Sequence, residues 1–342
     1  MNTQTDSLLP TFEPSEQDLV NRALAQPLEK KIARAIALLQ HWEPEALKLD
    51  PRGYWVADSF GKDSDCIVEL AKMAGVAHHC EHNLTTLDAP ELIAFGRKNR
   101  PGTHINKQPI SMLNRMVNKS DGPPTRLARW CCDEYKEQGG RTVGKVIGVR
   151  IEESANRADL WSEFVRNKRD KDAFYICPIA YWTTADVWAF HALRNLPHCC
   201  LYDEGFTRLG CIGCPMAGPE WQRKEFSRWP KYEKAWRLAV GKFFDKWHGV
   251  PTLRVRWIRR PITESADMYG VACAWRDWID KDGKQRHEWG CFSHQRWFED
   301  KGSAQGLWDW WRSGVGQGDG PACQGAELFS THELGDENAN DE

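Results

Sequence analysis

The chain has almost no net charge: 46 Lys and Arg stand against 48 Asp and Glu in 342 residues. That balance gives no global pull toward nucleic acid or an anionic membrane, and leaves only local patches to be considered. It has no run of about 18 apolar residues, so no transmembrane helix is expected. Its first residues lack the cationic and apolar regions of a secretory leader, carrying Asp6, Glu13, Glu16 and Asp18 instead. The expected location is the cytoplasm, without a membrane partner. The Gly-Lys pair at Gly61-Lys62 lacks the Walker A spacing, because Val56 stands where that loop needs its first glycine.

What is there is an ordinary globular composition, 41% hydrophobic and 27% charged. Two residue types are abundant. Twelve cysteines in a reducing compartment argue against a disulfide framework and toward metal or redox chemistry. Eighteen tryptophans fall mostly after Trp182, which suits a core built on indoles with some stacking surface.

The most informative stretch is Tyr54 to Ser64. Tyr54-Trp55-Val56-Ala57 reads as a buried strand. The chain breaks at Ser59-Phe60-Gly61-Lys62-Asp63-Ser64, then resumes at helical spacing through Cys66, Ile67, Leu70 and Ala71 to Gly75. Strand, tight loop and helix present backbone N–H groups to an anion, and Lys62 adds a cation. The alternative is a plain turn whose Asp63 or Ser64 caps the helix.

Further along, Pro27 to Trp42 reads as a helix and Val76 to Cys80 as a strand. Thr85 to Pro90 leads into a helix ending near Asn99. Lys145 to Arg150 and Phe174 to Ile179 read as further strands. Arg150, Ser154 and Arg157 follow the first of these, where ligands bind in open α/β sheets and where arginine suits phosphate or sulfate. A salt-bridge cluster with Glu152 and Glu153 is the alternative. Cys131-Cys132 lies among cations, which favour thiolate. Cys211-Ile212-Gly213-Cys214 is a knuckle. Together they supply the four thiolates that a [4Fe-4S] cluster or a zinc ion would take.

Four regions are expected: an irregular 1–26, a nucleotide-binding 27–235, a Trp- and Arg-rich 236–313, and an acidic tail 314–342. Interleaved Arg and Trp in 248–300 suits either single-stranded nucleic acid or cations lying over a Trp core, the latter favoured.

The 59–64 loop resembles the PP-loop of the ATP pyrophosphatases, Ser-Gly-Gly-Lys-Asp-Ser, with Phe60 in place of the second glycine. Thr86-Leu87-Asp88-Ala89-Pro90-Glu91, the pattern of Gly148, Arg150, Glu153, Ser154 and Arg157, and the two cysteine motifs are similar in order and kind to the phosphoadenosine phosphosulfate (PAPS) reductase family. They resemble most its phage and DNA-phosphorothioation branch. The resemblance spans Tyr54 to Tyr232. It implies an adenine nucleotide α-hydrolase-like α/β fold: a mostly parallel sheet flanked by helices, with a smaller Trp-rich C-terminal region. It implies a nucleotide site at Ser59, Phe60, Gly61, Lys62, Asp63, Ser64, Asp88, Gly148, Arg150, Ser154 and Arg157, with Lys62, Asp63, Arg150 and Arg157 as catalytic residues. It implies metal ligands Cys131, Cys132, Cys211 and Cys214, with Cys199 or Cys200 as a substitute for Cys131.

The nucleotide would be PAPS, its relative without the 3′-phosphate (APS), or ATP, with Mg2+ as a candidate companion. Two reactions follow from the resemblance. One is sulfonucleotide reduction, drawing on a thiol reductant protein. The other is adenylylation of a nucleic acid for sulfur insertion, drawing on a sulfur donor. The reductases' C-terminal Glu-Cys-Gly-Leu-His motif is absent, and Cys323 is the tail's only cysteine. A non-catalytic binding module with structural zinc is the reading from another class.

Overall fold

The computed structural model describes residues 16–118, 122–124, 129–137, 142–153, 161–167, 170, 172–247, 255–258, 271–279, 285–293 and 304–313. The expected Ser154 and Arg157 and the acidic tail with Cys323 lie outside the described residues.

Two helices precede the sheet. Helix α1 spans Glu16–Leu24, so regular structure begins earlier than Pro27, where the sequence pattern first becomes periodic. Helix α2, Leu28–Leu49, runs past its expected end at Trp42 and carries Pro44 inside it. Its buried residues Ala35, Leu39 and Ala46 hold both halves against one core, which offsets the lost backbone bond.

Strand β1, Tyr54–Ala57, feeds helix α3, Lys62–Ala74. Gly75 ends that helix in the left-handed conformation, φ 69°, as a C-terminal glycine does. Strand β2 is His78–Leu84, shifted toward the C-terminus from the apolar Val76–Cys80 run. It is followed by α4, Pro90–Asn99, then β3, His104–Lys107, and α5, Met112–Asn118. A π-helical turn covers Cys132–Lys136. Strand β4 is only Gly144–Val146. Beyond it the chain stays tied to its neighbour by isolated bonds, Ile147 N–H to Ile176 O and Ile151 N–H to Ala180 O.

Strands β5, Phe164–Arg166, and β6, Phe174–Ile176, complete a six-stranded sheet in the order β3-β2-β1-β4-β6-β5. β1 pairs in parallel with β2 and β4, and β4 with β6; the edge strand β5 is antiparallel. Helix α6, Thr184–Arg194, starts on a reciprocal capping box between Thr183 and Asp186. Then come α7, Pro219–Arg228, and α8, Pro230–Trp247. A separate antiparallel sheet follows in the order β7-β9-β8, from Val255–Ile258, Val271–Ile279 and Gln285–Ser293. Helix α9 is Ala304–Ser313.

The chain divides into two compact units that interleave along the sequence. One holds the described parts of Met1–His82, Ala94–His104 and Gly140–Gly205; the other holds those of Asn83–Ile93, Ile105–Gly139 and Phe206–Glu342. The first unit's core joins Leu39, Tyr54, Val56, Ile67, Leu70, Val146, Ile176, Trp182 and Phe190. The second is centred on indoles. Trp236 stacks on Trp311 with centroids 4.7 Å apart. Their ring N–H groups donate to Ile212 O and Pro124 O. Among the described residues no helix is long and apolar enough to cross a membrane.

Candidate functional site

The loop after β1 is built from inside by one carboxylate. Asp58 is buried and ends the strand. Its Oδ1 accepts the Phe60 N–H at 3.0 Å and the Ser64 hydroxyl at 3.3 Å, and its Oδ2 accepts the Thr103 hydroxyl at 2.8 Å. This bracing lets Phe60 sit at φ 60°, a value ordinarily left to glycine. The Phe60 ring turns into the protein, 1% exposed. It stacks on His82 at 4.3 Å and fills the space beside Gly96, where a Cβ would come within 2.3 Å of the ring. The Phe60 side chain thus leaves through the back of the loop.

The α3 ladder begins with the Asp65 N–H bonding Gly61 O. The earlier N–H groups of this helix therefore have no partner within it, which is the physical basis of anion binding at a helix start. Lys62 Nζ, only 4% exposed as a residue, bonds Asp63 Oδ2 at 2.8 Å. Arg150, 3% exposed, donates from Nε to Asp63 Oδ1 at 2.7 Å. Its Nη1 meets Glu152 Oε2 at 2.6 Å and the Thr184 hydroxyl at 3.2 Å, while Nη2 takes part in none of these bonds. Asp63 thus bridges two buried cations. Gly148 allows this approach: a Cβ there would lie 3.2 Å from Asp63 O.

The structure brings together Ser59, Phe60, Gly61, Lys62, Asp63, Ser64, Gly148 and Arg150. It also adds residues that the sequence reading passed over. The Tyr202 hydroxyl accepts the Lys62 N–H at 2.9 Å, and His191 Nε2 lies 2.8 Å from Lys62 O. Tyr202 lies 140 positions from Lys62, and no local pattern links them. Asp65 is fully buried beside the loop, with Arg100 at 2.6 Å. Burial pushes its carboxyl up to about 7, against the opposing pull of Arg100.

The thiols belong to the second unit. Cys131, Cys132, Cys211 and Cys214 all feel one another electrostatically, directly or through a shared neighbour. Cys131 is hydrogen-bonded to Cys132. That bond lowers the Cys132 thiol, and the Arg129 guanidinium, 3.4 Å from its sulfur, adds to the effect. Cys131 is raised in turn, by the same bond and by burial. Burial pushes Cys211 up to about 12 and raises Cys214. The Cys211 thiol donates to the Thr85 hydroxyl at 3.3 Å. Asp88 caps the same turn by accepting the Thr85 N–H at 2.8 Å, and it bridges to Cys211 through the backbone. The knuckle is held from behind: Gly213 N–H donates to Glu225 at 2.7 Å and Gln222 donates to Gly213 O at 3.0 Å.

Four convergent thiols in a cationic setting are the donor set of a thiolate-held metal or cluster. Among the described residues no three Cys, His, Asp or Glu side chains already stand at metal-holding spacing. The donor chemistry fits; in the present arrangement Cys131 bonds Cys132, Cys211 bonds Thr85, and Cys132 is the thiol shifted toward thiolate. Cys199 and Cys200 lie in the first unit, where Cys199 is buried near Tyr202.

The model of the phosphoadenosine phosphosulfate reductase domain matches residues 53–217, a span that contains both the loop and the thiols. An adenosine 5′-phosphosulfate reductase of Geobacillus kaustophilus is 33% identical over 184 residues, covering 51% of this chain and 77% of that enzyme. Adenosine 5′-phosphosulfate reductase 2 of Bacillus subtilis is 26% identical over 188 residues, 52% of this chain and 79% of its own. Among solved structures, a phosphoadenylyl-sulfate reductase from Candida auris in complex with phosphate aligns at 15% identity and TM-score 0.41, over 59% of this chain and 98% of that one. A third of the aligned positions shared with the Geobacillus enzyme, over three quarters of that enzyme's length, settles the kinship: the chain belongs to the phosphoadenosine phosphosulfate reductase family.

Proposed function

We propose that this protein binds an adenine sulfonucleotide with its phosphates at the 59–64 loop and acts on the group attached to the 5′-phosphate. The observation that carries this reading is the pair of buried cations, Lys62 and Arg150, which meet on Asp63 at the start of α3. Two cations gathered at a helix start suit an incoming phosphate or sulfate, which would share them with Asp63 and Glu152. Ser59 and Ser64 add hydroxyls, and Arg157 and Ser154 are proposed to extend the same anion site. Asp88 is kept as a nucleotide-binding candidate on the family resemblance.

Sulfonucleotide reduction is the first reading, supported by the named relatives. It would draw on a thiol reductant. ATP-dependent adenylylation of a nucleic acid for sulfur insertion, as in the phage and phosphorothioation branch, is the second. The interleaved Arg and Trp of 248–300 are the sequence feature that raises it. Mg2+ would accompany ATP in that reading.

Cys131, Cys132, Cys211 and Cys214 are proposed to hold a [4Fe-4S] cluster, with zinc as the alternative. Such a cluster would supply electronic tuning, and zinc a structural anchor. The chain's part is to position the sulfurs, through Glu225 and Gln222 behind the knuckle and Arg129 beside Cys132.

The test is calorimetric titration with APS, PAPS and ATP separately, followed by assays for sulfite release and for pyrophosphate release with DNA or RNA present. Binding of APS or PAPS with sulfite release supports the first reading. Pyrophosphate release that needs ATP and a nucleic acid replaces it with the second. Binding of none of the three overturns the nucleotide reading.

A further inference from the structure

The start of α3 is already partnered by a side chain of the protein itself. The Lys62 N–H is the first donor of the helix, and it points at the Tyr202 hydroxyl at 2.9 Å. The same oxygen lies over the open side of Gly61, 3.2 Å from where a Cβ would be. Lys62 Nζ stands 5.8 Å from the centre of the Tyr202 ring. A neutral oxygen thus accepts the first N–H of the helix, a position that suits a phosphate oxygen.

Resting on the nucleotide reading above, we infer that the Tyr202 hydroxyl is a place-holder for a phosphate oxygen and is displaced from the Lys62 N–H when the nucleotide binds. The exchange is favourable because a charged acceptor makes roughly twice as strong a bond as a neutral one. Burial keeps the phenol protonated, so it remains the weaker acceptor. Tyr202 closes a 3-10 turn, Cys200–Tyr202, followed by exposed Asp203, Glu204 and Gly205. The ring meets Trp188 edge-on at 5.2 Å, a contact with little directional cost to break. His191 holds Lys62 from the opposite side through its carbonyl, so the lysine backbone stays while the tyrosine leaves.

A structural prop and a place-holder predict opposite signs. Removing a competitor's hydroxyl tightens ligand binding; removing a prop or a direct ligand contact weakens it. Calorimetric titration of wild type and Tyr202→Phe with APS, and with pyrophosphate as the base-free probe, is the experiment. The expected result is binding of both probes roughly threefold to tenfold tighter in the variant, the span of one net hydrogen bond. Hydrogen exchange on the wild type supplies a measurement independent of the variant's folding. The amides of Tyr202, Asp203, Glu204 and Gly205, which now bond back to Cys199, Cys200 and Tyr202, should exchange faster with APS bound. Equal or weaker binding by Tyr202→Phe, or unchanged or slower exchange at 202–205, overturns the inference while the nucleotide reading stands. No binding of APS, PAPS or ATP by wild type removes both together.

Discussion

The loop of the first unit and the thiols of the second solve opposite electrostatic problems. At the loop, opposite charges are buried together: Asp63 lies between Lys62 and Arg150, and Asp65 faces Arg100. At the thiols, groups of like kind are buried together, and three of the four are pushed toward the protonated form. The first arrangement is satisfied before any ligand arrives. The second becomes satisfied only when a cation replaces the protons, because four thiolates at close range repel. On the proposed reading the loop would be a pre-formed site, and the thiol group a site that its ligand completes.

The comparison breaks first, and most visibly, at the metal. Protein purified anaerobically should carry iron and sulfide, or one zinc, and the Cys131→Ser/Cys214→Ser double variant should lose nearly all of it by elemental analysis. Wild type free of metal would place both regions in the same, already satisfied class. The next largest effect is at the loop. Lys62→Ala should weaken nucleotide binding by about 10- to 100-fold, the range for a hydrogen bond to a charged group, read by calorimetry. Near-wild-type affinity would mean that Asp63 alone uses this lysine.

A smaller effect tests the pre-formed character directly. Gly96→Ala forces a methyl into the Phe60 ring and should cost about 1 to 3 kcal/mol in urea unfolding, as overpacking does. No loss would show that the ring is free to shift and the loop is not fixed. The smallest effect concerns pH. The Asp65 carboxyl is held up to about 7, well above its unfolded value. The native state then keeps a proton that the unfolded chain has lost. Its contribution is fully present below about pH 4 and is lost as pH rises through 7. Asp65→Asn should flatten that decline by on the order of 1 kcal/mol between pH 5 and 7.5, measured as urea midpoints. An unchanged slope would show that Arg100 keeps Asp65 ionised.

The strand, loop and helix from Tyr54 to Gly75 could be read from the sequence because each signal is local: an apolar run, a break, a helical period and a terminal glycine. The position of the Phe60 ring could not, since it depends on Gly96 and His82, each distant in sequence and unremarkable alone. Tyr202 was invisible for the same cause. Strand β2 was misplaced because its polar residues, among them Glu81, His82 and Asn83, do not read as a strand until Asp58 and Phe60 are known to pack there. Strand β5 was not expected: three residues at an antiparallel edge carry too short a pattern.

The strand order has a consequence for synthesis on the ribosome. One side of β1 is closed by β2, about 25 residues later, but the other waits for β4 at Gly144–Val146. At ordinary elongation rates that is on the order of 5 to 20 s during which a central apolar strand has an open edge. Such an edge is a template for wrong pairing. The nascent chain of this protein should therefore be a client for factors that shield exposed strands, and truncations ending between Leu84 and Gly144 should aggregate rather than fold.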